Sequence, residues 1–144
     1  MDAKSAAHMT DLTAWASLGL IAVLREDLPI VRQMYTYLEP SRGSHLTGYL
    51  VCDTALGLLA MALGDLDQAV VHFEDTLLSC NKTGNRPELA RICCDYADTL
   101  LQRNEPGDRE RAMSLLDESL AISSELGMRP LMERVLSRRE ILKA

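Results

Sequence analysis

The side chains that could perform chemistry are few and poorly grouped in this chain of 144 residues. Its four cysteines include no C-x-x-C pair, and no histidine stands at zinc-finger spacing from them. We therefore interpret them as small buried hydrophobic residues in a reducing compartment. They are Cys52, Cys80, Cys93 and Cys94. The histidines are His8, His45 and His72, too few for most histidine-based chemistry.

One pair of carboxylates has a spacing that suits acid–base catalysis. Asp95 and Asp98 lie three residues apart, which places them one turn apart on a helix. Their apolar flanks and the nearby Arg91 favour an ion-paired or solvated surface instead. The chain also contains no phosphate-binding loop, dinucleotide fingerprint, H-E-x-x-H or G-x-S-x-G motif. The sequence therefore predicts no enzyme activity, no cofactor and no metal site.

The charge of the chain argues against nucleic acid as a direct partner. The formal net charge is −6 and the pI is about 5.0. The last fifteen residues are rich in arginine, and we interpret them as a solvated final helix. We expect no signal peptide and no membrane span, since the longest apolar run, residues 55–63, is far shorter than the roughly 20 residues of a membrane span. We expect a cytoplasmic protein without membrane contact.

The first residues differ in character from the rest. Residues 1–9 read MDAKSAAHM, and the pair His8-Met9 is what a common cloning site encodes. We therefore expect residues 1–8 to be the remnant of an expression tag. Residues 9–144 then form a single helical repeat domain.

Internal repetition is the strongest signal in the sequence. The motif G-x-R-P occurs at residues 84–87 and again at 127–130, an offset of 43. Gly64-Asp65 followed by Ala69 recurs at the same offset as Gly107-Asp108 followed by Ala112. A period near 40 residues indicates stacked units of supersecondary structure.

Each unit has the pattern of two helices, and the periodicity predicts an all-α fold of seven helices. The first four helices are expected at about 11–25, 28–39, 46–63 and 66–82. The fifth is expected to begin at Pro87, the sixth to be capped by Asp108, and the seventh to cover about 130–143. Asp27 and Asp65 are the expected N-caps of the second and fourth helices. In the fourth helix, Phe73 belongs to the apolar stripe and His72 to the opposite, polar face.

The repeated units resemble tetratricopeptide repeats. Their signature of a Leu-Gly pair followed by a small residue and an aromatic appears twice, as Trp15-x2-Leu18-Gly19 with Tyr35 and as Leu56-Gly57 with Phe73. The third unit lacks the Leu-Gly pair. The longer period and the G-x-R-P joints are similar to the repeat arrays of large bacterial regulators. Those regulators combine an ATPase with such repeats and with a LuxR-type DNA-binding or cyclase domain.

This resemblance implies a right-handed superhelix of antiparallel helix pairs, with about three repeats and a C-terminal capping helix. The inward positions of the family would then line a mostly apolar concave groove, unless they are simply core residues. Carried over by phase, the candidate partner-binding residues are Leu20, Leu24, Val51, Thr54, Leu58, Met61, Tyr96, Leu100 and Arg103. The Lys and Asn that clamp a carboxylate in some members are absent from them.

Two functions stay open at this point. The first is a non-catalytic protein–protein interaction module, a fragment or relative of a bacterial signalling or transcription regulator. It would bind a partner segment, or a second copy to form a homodimer, through the apolar groove. The alternative is a small-effector-sensing domain of such a regulator. A pocket with convergent polar groups would favour the sensor, and an open apolar groove would favour the interaction module.

Overall fold

The computed structural model describes residues 3–45 and 51–144, and within these ranges it contains seven α-helices and no strand. The helices are α1 (Ala3–Leu24), α2 (Leu28–Leu38), α3 (Cys52–Ala62), α4 (Leu66–Thr83), α5 (Arg86–Arg103), α6 (Asp108–Glu125) and α7 (Arg129–Lys143). A short 3-10 helix, Glu39–Ser41, follows α2. The predicted all-α fold with seven helices is confirmed for the described residues. The handedness of the superhelix stays a prediction.

Most helix boundaries follow the predicted caps. The Asp27 carboxylate accepts the Ile30 N–H at the start of α2, and Asp65 accepts the Gln68 N–H at the start of α4. Asn85 plays the same role for α5 by accepting the Glu88 N–H.

Three boundaries differ from the prediction. Helix α1 begins at Ala3, well before residue 11. Helix α3 begins only at Cys52, because Val51 is extended and pairs with His45 in an isolated bridge. The first residues of the predicted helix, 46–50, lie outside the described residues. Asp108 is the first residue of α6 rather than its cap, a role that Gly107 takes with a positive φ of 89°.

The chain divides into two compact units, Met1–Asp75 and Thr76–Ala144, and the division falls inside α4. The predicted single domain over residues 9–144 stays a prediction. In the first unit, α1, α2 and α3 pack around one apolar core. Its fully buried members include Ala16, Val31, Leu38, Leu56 and Leu59.

Two glycines let the helices of the first unit approach closely. A Cβ atom on Gly19 of α1 would lie 3.0 Å from Leu59 Cδ2 and 3.1 Å from Met34 Cβ. A Cβ atom on Gly57 of α3 would lie only 2.6 Å from Cε1 of Phe73, which is fully buried. The aromatic ring therefore occupies the space that any other residue at position 57 would need.

In the second unit, α6 packs against both α5 and α7. Ile92, Leu115, Leu116 and Val135 are fully buried there. The buried Ser119 hydroxyl donates a hydrogen bond to the Ala90 carbonyl at 2.6 Å, which satisfies a polar group between helices α5 and α6.

The arginines of α7 are not simply solvated, contrary to our sequence-based interpretation. Arg134 Nη2 lies 2.7 Å from Asp95 Oδ1 and 2.8 Å from Asp98 Oδ2. Arg138 Nε contacts the other Asp98 oxygen at 2.7 Å. Of the two alternatives for these carboxylates, ion-paired or solvated, the structure shows the ion-paired one, with α7 rather than Arg91 supplying the cations. Burial raises the pKa of Asp95, and Arg134 opposes that effect.

We expect Gly57→Ala to destabilise the protein by about 1–3 kcal/mol, because the new methyl group overlaps the Phe73 ring. Helix propensity alone would make this substitution stabilising by about 1 kcal/mol, so the two effects have opposite signs. Urea denaturation measures the free energy of unfolding. The cost should shrink in a Phe73→Leu background, where the ring is absent. A stabilised Gly57→Ala variant would contradict the contact.

We expect Arg134→Met to cost about 2 kcal/mol of stability, because it removes the cation that both partly buried carboxylates share. Arg91→Met is the matched control, since Arg91 is exposed and its Glu88 partner lies 3.8 Å away. That control should change stability by less than about 1 kcal/mol. Equal effects of the two variants in urea denaturation would argue against a structural role for the α7 pairs.

Candidate functional site

The predicted groove residues do not share one surface environment. Val51, Thr54, Tyr96 and Leu100 are buried, at most 4% exposed, and therefore belong to the packed interior rather than to an accessible lining. For these four positions the structure therefore favours the alternative that the sequence left open, that they are core residues. The physical reason is that covered helices bury several faces, so an inward-facing position need not border solvent.

The other predicted residues have mixed surroundings. Leu20, Leu58 and Met61 are half-buried, whereas Leu24 is 85% exposed at the end of α1. Arg103 forms a two-pronged contact with Asp108, with Nε 3.0 Å from Oδ2 and Nη2 2.8 Å from Oδ1. This guanidinium holds the pKa of Asp108 below its usual range. Arg103 thus stabilises the turn between α5 and α6 through its contact with Asp108.

An accessible apolar surface of the first unit lies between α1 and α2. This α1–α2 groove, about 330 Å³, is lined by Trp15, Leu18, Ile21, Ala22, Arg25, Asp27, Ile30, Gln33 and Met34. Leu18 and Ile21 are about half exposed, and Ile30 is 41% exposed. Of the eleven exposed large hydrophobic side chains among the described residues, six lie between positions 18 and 37. Such clustering is typical of an interaction surface.

Local geometry sets the shape of this groove. Glu26, with a positive φ of 55°, ends α1, and the cap at Asp27 starts α2 immediately. The short link places the two helices side by side and leaves Arg25 and Asp27 at one end of the groove. The Trp15 and Tyr37 rings contact each other across the helices, with centroids 5.1 Å apart.

A chain of buried polar side chains lies elsewhere in the first unit. His72 of α4 and Asp53 of α3 are only 1% and 2% exposed. His72 Nδ1 lies 3.1 Å from Asp53 Oδ1, and His72 Nε2 lies 2.9 Å from the Tyr35 hydroxyl. The sequence prediction for His72 was wrong, because that residue lies in the interior and not on a polar face. Its neighbour Phe73 packs on Gly57, which turns this part of α4 towards α3.

The hydrogen bonds fix the direction of this chain. An ionised carboxylate only accepts hydrogen bonds, and Asp53 accepts the Gly43 N–H at 2.6 Å and the His72 Nδ1–H at 3.1 Å. In the tautomer whose single ring proton is on Nδ1, Nε2 accepts the Tyr35 O–H at 2.9 Å. Burial alone would raise the pKa of Asp53, but the bonds from His72 and Gly43 outweigh it and leave that pKa below its usual range. Arg42, which also contacts Asp75, lies 3.6 Å from Asp53 and adds to the lowering.

Tyr35 connects this chain to solvent. It is half-buried and lines a cleft of about 620 Å³ together with Arg32, Thr36, Ala60, Leu63, Gly64 and Asp65. We call it the Tyr35 cleft. Burial, with the negative charges of Asp65 and Glu39, raises the pKa of Tyr35. The phenol therefore stays neutral at physiological pH and is not a tyrosinate nucleophile. The arrangement can orient a hydroxyl group at the cleft.

The cysteines are buried and protonated. Burial raises the pKa of Cys52, Cys80 and Cys94 to about 11 and that of Cys93 to about 12, so none supplies a thiolate at neutral pH. Within residues 3–45 and 51–144, no three His, Cys, Asp or Glu side chains are grouped to hold a metal ion. No helix in the described part of the chain has the length and apolar character needed to cross a membrane.

Comparison of the chain with family models, with curated proteins and with solved structures found no match. The resemblance to tetratricopeptide repeats therefore stays a prediction from the sequence.

We expect Asp53→Asn to lower stability by about 1–3 kcal/mol at pH 7, because an amide cannot accept both the Gly43 and His72 donors as a carboxylate does. The pKa of Asp53 is lower in the folded protein than in the unfolded chain, where it is about 3.9. The carboxylate therefore stabilises the fold fully above that pH and less as the pH falls through the folded-state value.

Urea denaturation between pH 7 and pH 3 should therefore show the difference between Asp53→Asn and wild type shrinking at the acidic end. Asp75→Asn, which alters the more exposed carboxylate, is the matched control and should cost little at any pH. A difference that stays constant down to pH 3 would show that the charge of Asp53 is not the source of the stabilisation.

Proposed function

We propose that this chain is a non-catalytic protein-interaction module and that it associates with a second copy of itself through the α1–α2 groove. The supporting observation is the concentration of exposed apolar side chains there, with Leu18, Ile21 and Ile30 each 41–49% exposed. Water contact with these side chains is unfavourable, and covering them against another apolar surface recovers that free energy.

The shape and charge of the groove favour a second copy as its occupant. Leu18 and Ile21 lie three residues apart on α1 and line the groove while remaining about half exposed, so its wall forms a ridge next to the recess. In a two-fold arrangement, the ridge of each copy enters the recess of the other. Arg25 forms no ion pair among the described residues, and Asp27 lies at the same end of the groove. The two-fold axis would set Arg25 of one copy opposite Asp27 of the other.

The resemblance stated from the sequence supports the same kind of role. Repeat arrays of that family are surfaces for protein binding, and the close contacts at Gly19 and Gly57 are of the kind its small residues make. On this basis we propose that the chain is a fragment or relative of a bacterial signalling or transcription regulator acting in the cytoplasm. The groove proposed here replaces the concave lining expected from the sequence.

One observation favours the alternative function of small-effector sensing. The Tyr35 cleft brings a cation, a carboxylate and an oriented hydroxyl group together at one recess, from Arg32, Asp65 and Tyr35. That is the convergence of polar groups that an effector site requires. It lies on residues different from those of the α1–α2 groove, so the two functions can be tested separately.

We expect Leu18→Asp to abolish self-association, because it places a carboxylate in the desolvated centre of the interface. Leu136→Asp is the matched control: Leu136 is a leucine of similar exposure, 45% against 49%, on α7 and outside the groove. Sedimentation equilibrium measures the monomer–dimer equilibrium, and circular dichroism checks that both variants keep their helices. Both leucines are half exposed, so neither variant should unfold.

Charge reversal tests the two-fold arrangement itself. Arg25→Glu should weaken the dimer, since it sets two acidic groups against each other, whereas Arg32→Glu, outside the groove, should not. A wild-type protein that stays monomeric at high concentration would overturn self-association. If the Leu18→Asp variant still forms dimers and the Leu136→Asp variant does not, the interface lies on α7 and not at the α1–α2 groove.

A further inference from the structure

The Tyr35 cleft lies at the end of a chain of buried hydrogen bonds, and the proposed self-association does not involve that chain. Asp53 and His72 are almost fully buried polar groups, and such groups are tolerated only when hydrogen-bonded. Their chain ends at Tyr35, the one member that lines the cleft. The result is a phenol oxygen held in one place at the wall of a recess of about 620 Å³.

The direction of the chain determines what this oxygen can bind. When the ring proton of His72 is on Nδ1, facing Asp53, the Tyr35 O–H donates to Nε2 and the phenol oxygen offers only lone pairs to the cleft. Asp65 also presents acceptors there. One of its carboxylate oxygens caps α4 by accepting the Gln68 N–H, and the other has no partner among the described residues. A ligand group facing Tyr35 and Asp65 must therefore be a hydrogen-bond donor, and a cation suits it best.

At Arg32 the ligand must instead supply a hydrogen-bond acceptor, and an anion suits this position best. This guanidinium is exposed and makes no ion pair among the described residues, including with Asp65. It can therefore bind a carboxylate with two parallel hydrogen bonds. Ala60 and Leu63 supply an apolar part of the same lining, and Gly64 leaves open space where a side chain would project.

We propose that the Tyr35 cleft binds a small zwitterion of the free amino-acid class. The ligand carboxylate lies on Arg32, its ammonium group lies between Asp65 and the Tyr35 oxygen, and its aliphatic side chain lies on Ala60 and Leu63. Binding needs no covalent step. This assignment rests on the alternative function stated above, effector sensing at this cleft. It is independent of the proposed self-association, because the cleft and the α1–α2 groove share no lining residue.

The test uses the full chain labelled with nitrogen-15 and titrated with leucine as the probe. We expect saturable amide shift changes at Gly64 and Asp65. Two analogues of leucine isolate its charges: 3-methylbutylamine lacks the carboxylate, and 4-methylpentanoate lacks the amine. Each analogue should bind at least about tenfold more weakly, since it leaves either Arg32 or Asp65 without its partner.

The variants are chosen so that folding is not at issue. Arg32→Gln changes an exposed side chain. Asp65→Asn removes the charge but keeps the helix cap, because asparagine is as favourable an N-cap residue as aspartate. Each should weaken leucine binding by about tenfold or more. Asp27→Asn is the matched control, because Asp27 caps α2 in the same manner but lines the other groove. It should leave leucine binding unchanged.

Three results would overturn the proposal: no saturable shift with leucine, alanine or valine; equal binding of leucine and 3-methylbutylamine; or equal loss of binding in Asp27→Asn and Asp65→Asn. A monomeric protein that still binds leucine would contradict only the proposed self-association. A dimer that binds none of the three amino acids would contradict only the ligand site.

Discussion

The contact between Gly57 and Phe73 is the constraint on which the first unit depends. The ring of Phe73 lies where a side chain of residue 57 would be, so this side chain of α4 packs directly on the backbone of α3 at that point. Asp53 lies four residues before Gly57 and therefore on the same face of α3. His72 immediately precedes Phe73. The apolar contact thus sets the distance at which the buried imidazole meets the buried carboxylate.

That arrangement gives the first unit two different surfaces. The polar chain from Asp53 through His72 ends at Tyr35 and gives the cleft an oriented acceptor. The α1–α2 groove, in contrast, is apolar, because the short link at Glu26 and Asp27 leaves the outer sides of both helices uncovered. One surface suits a small polar molecule and the other an apolar protein surface. Both follow from helix pairs that bury only part of their apolar residues.

The second unit is stabilised differently. Its terminal helix, α7, buries Leu131, Val135 and Leu142, and ion pairs to Asp95 and Asp98 hold one side of it on α5. Arg139 adds a contact to Asp117 of α6. Because the carboxylates are only 11–16% exposed, these pairs are less screened by solvent than ordinary surface pairs. The end of the chain is therefore fastened by charge as well as by apolar packing.

The sequence by itself determined the features that depend on neighbours along the chain. Caps at Asp27 and Asp65 and the prolines at 87 and 130 located helix starts, and the Leu56-Gly57 pair with Phe73 indicated a close helix contact. Periodicity also identified the apolar stripe of α4.

Only the tertiary structure decided which faces are covered. It buried His72, paired Arg134 with Asp95 and Asp98, and placed Val51, Thr54, Tyr96 and Leu100 in the interior instead of on a groove. The physical reason is that a helical period reports the direction of a side chain but not what lies opposite it. A polar residue among apolar ones becomes a buried hydrogen-bonding partner only when a distant segment, here α3 with Asp53, supplies its acceptor.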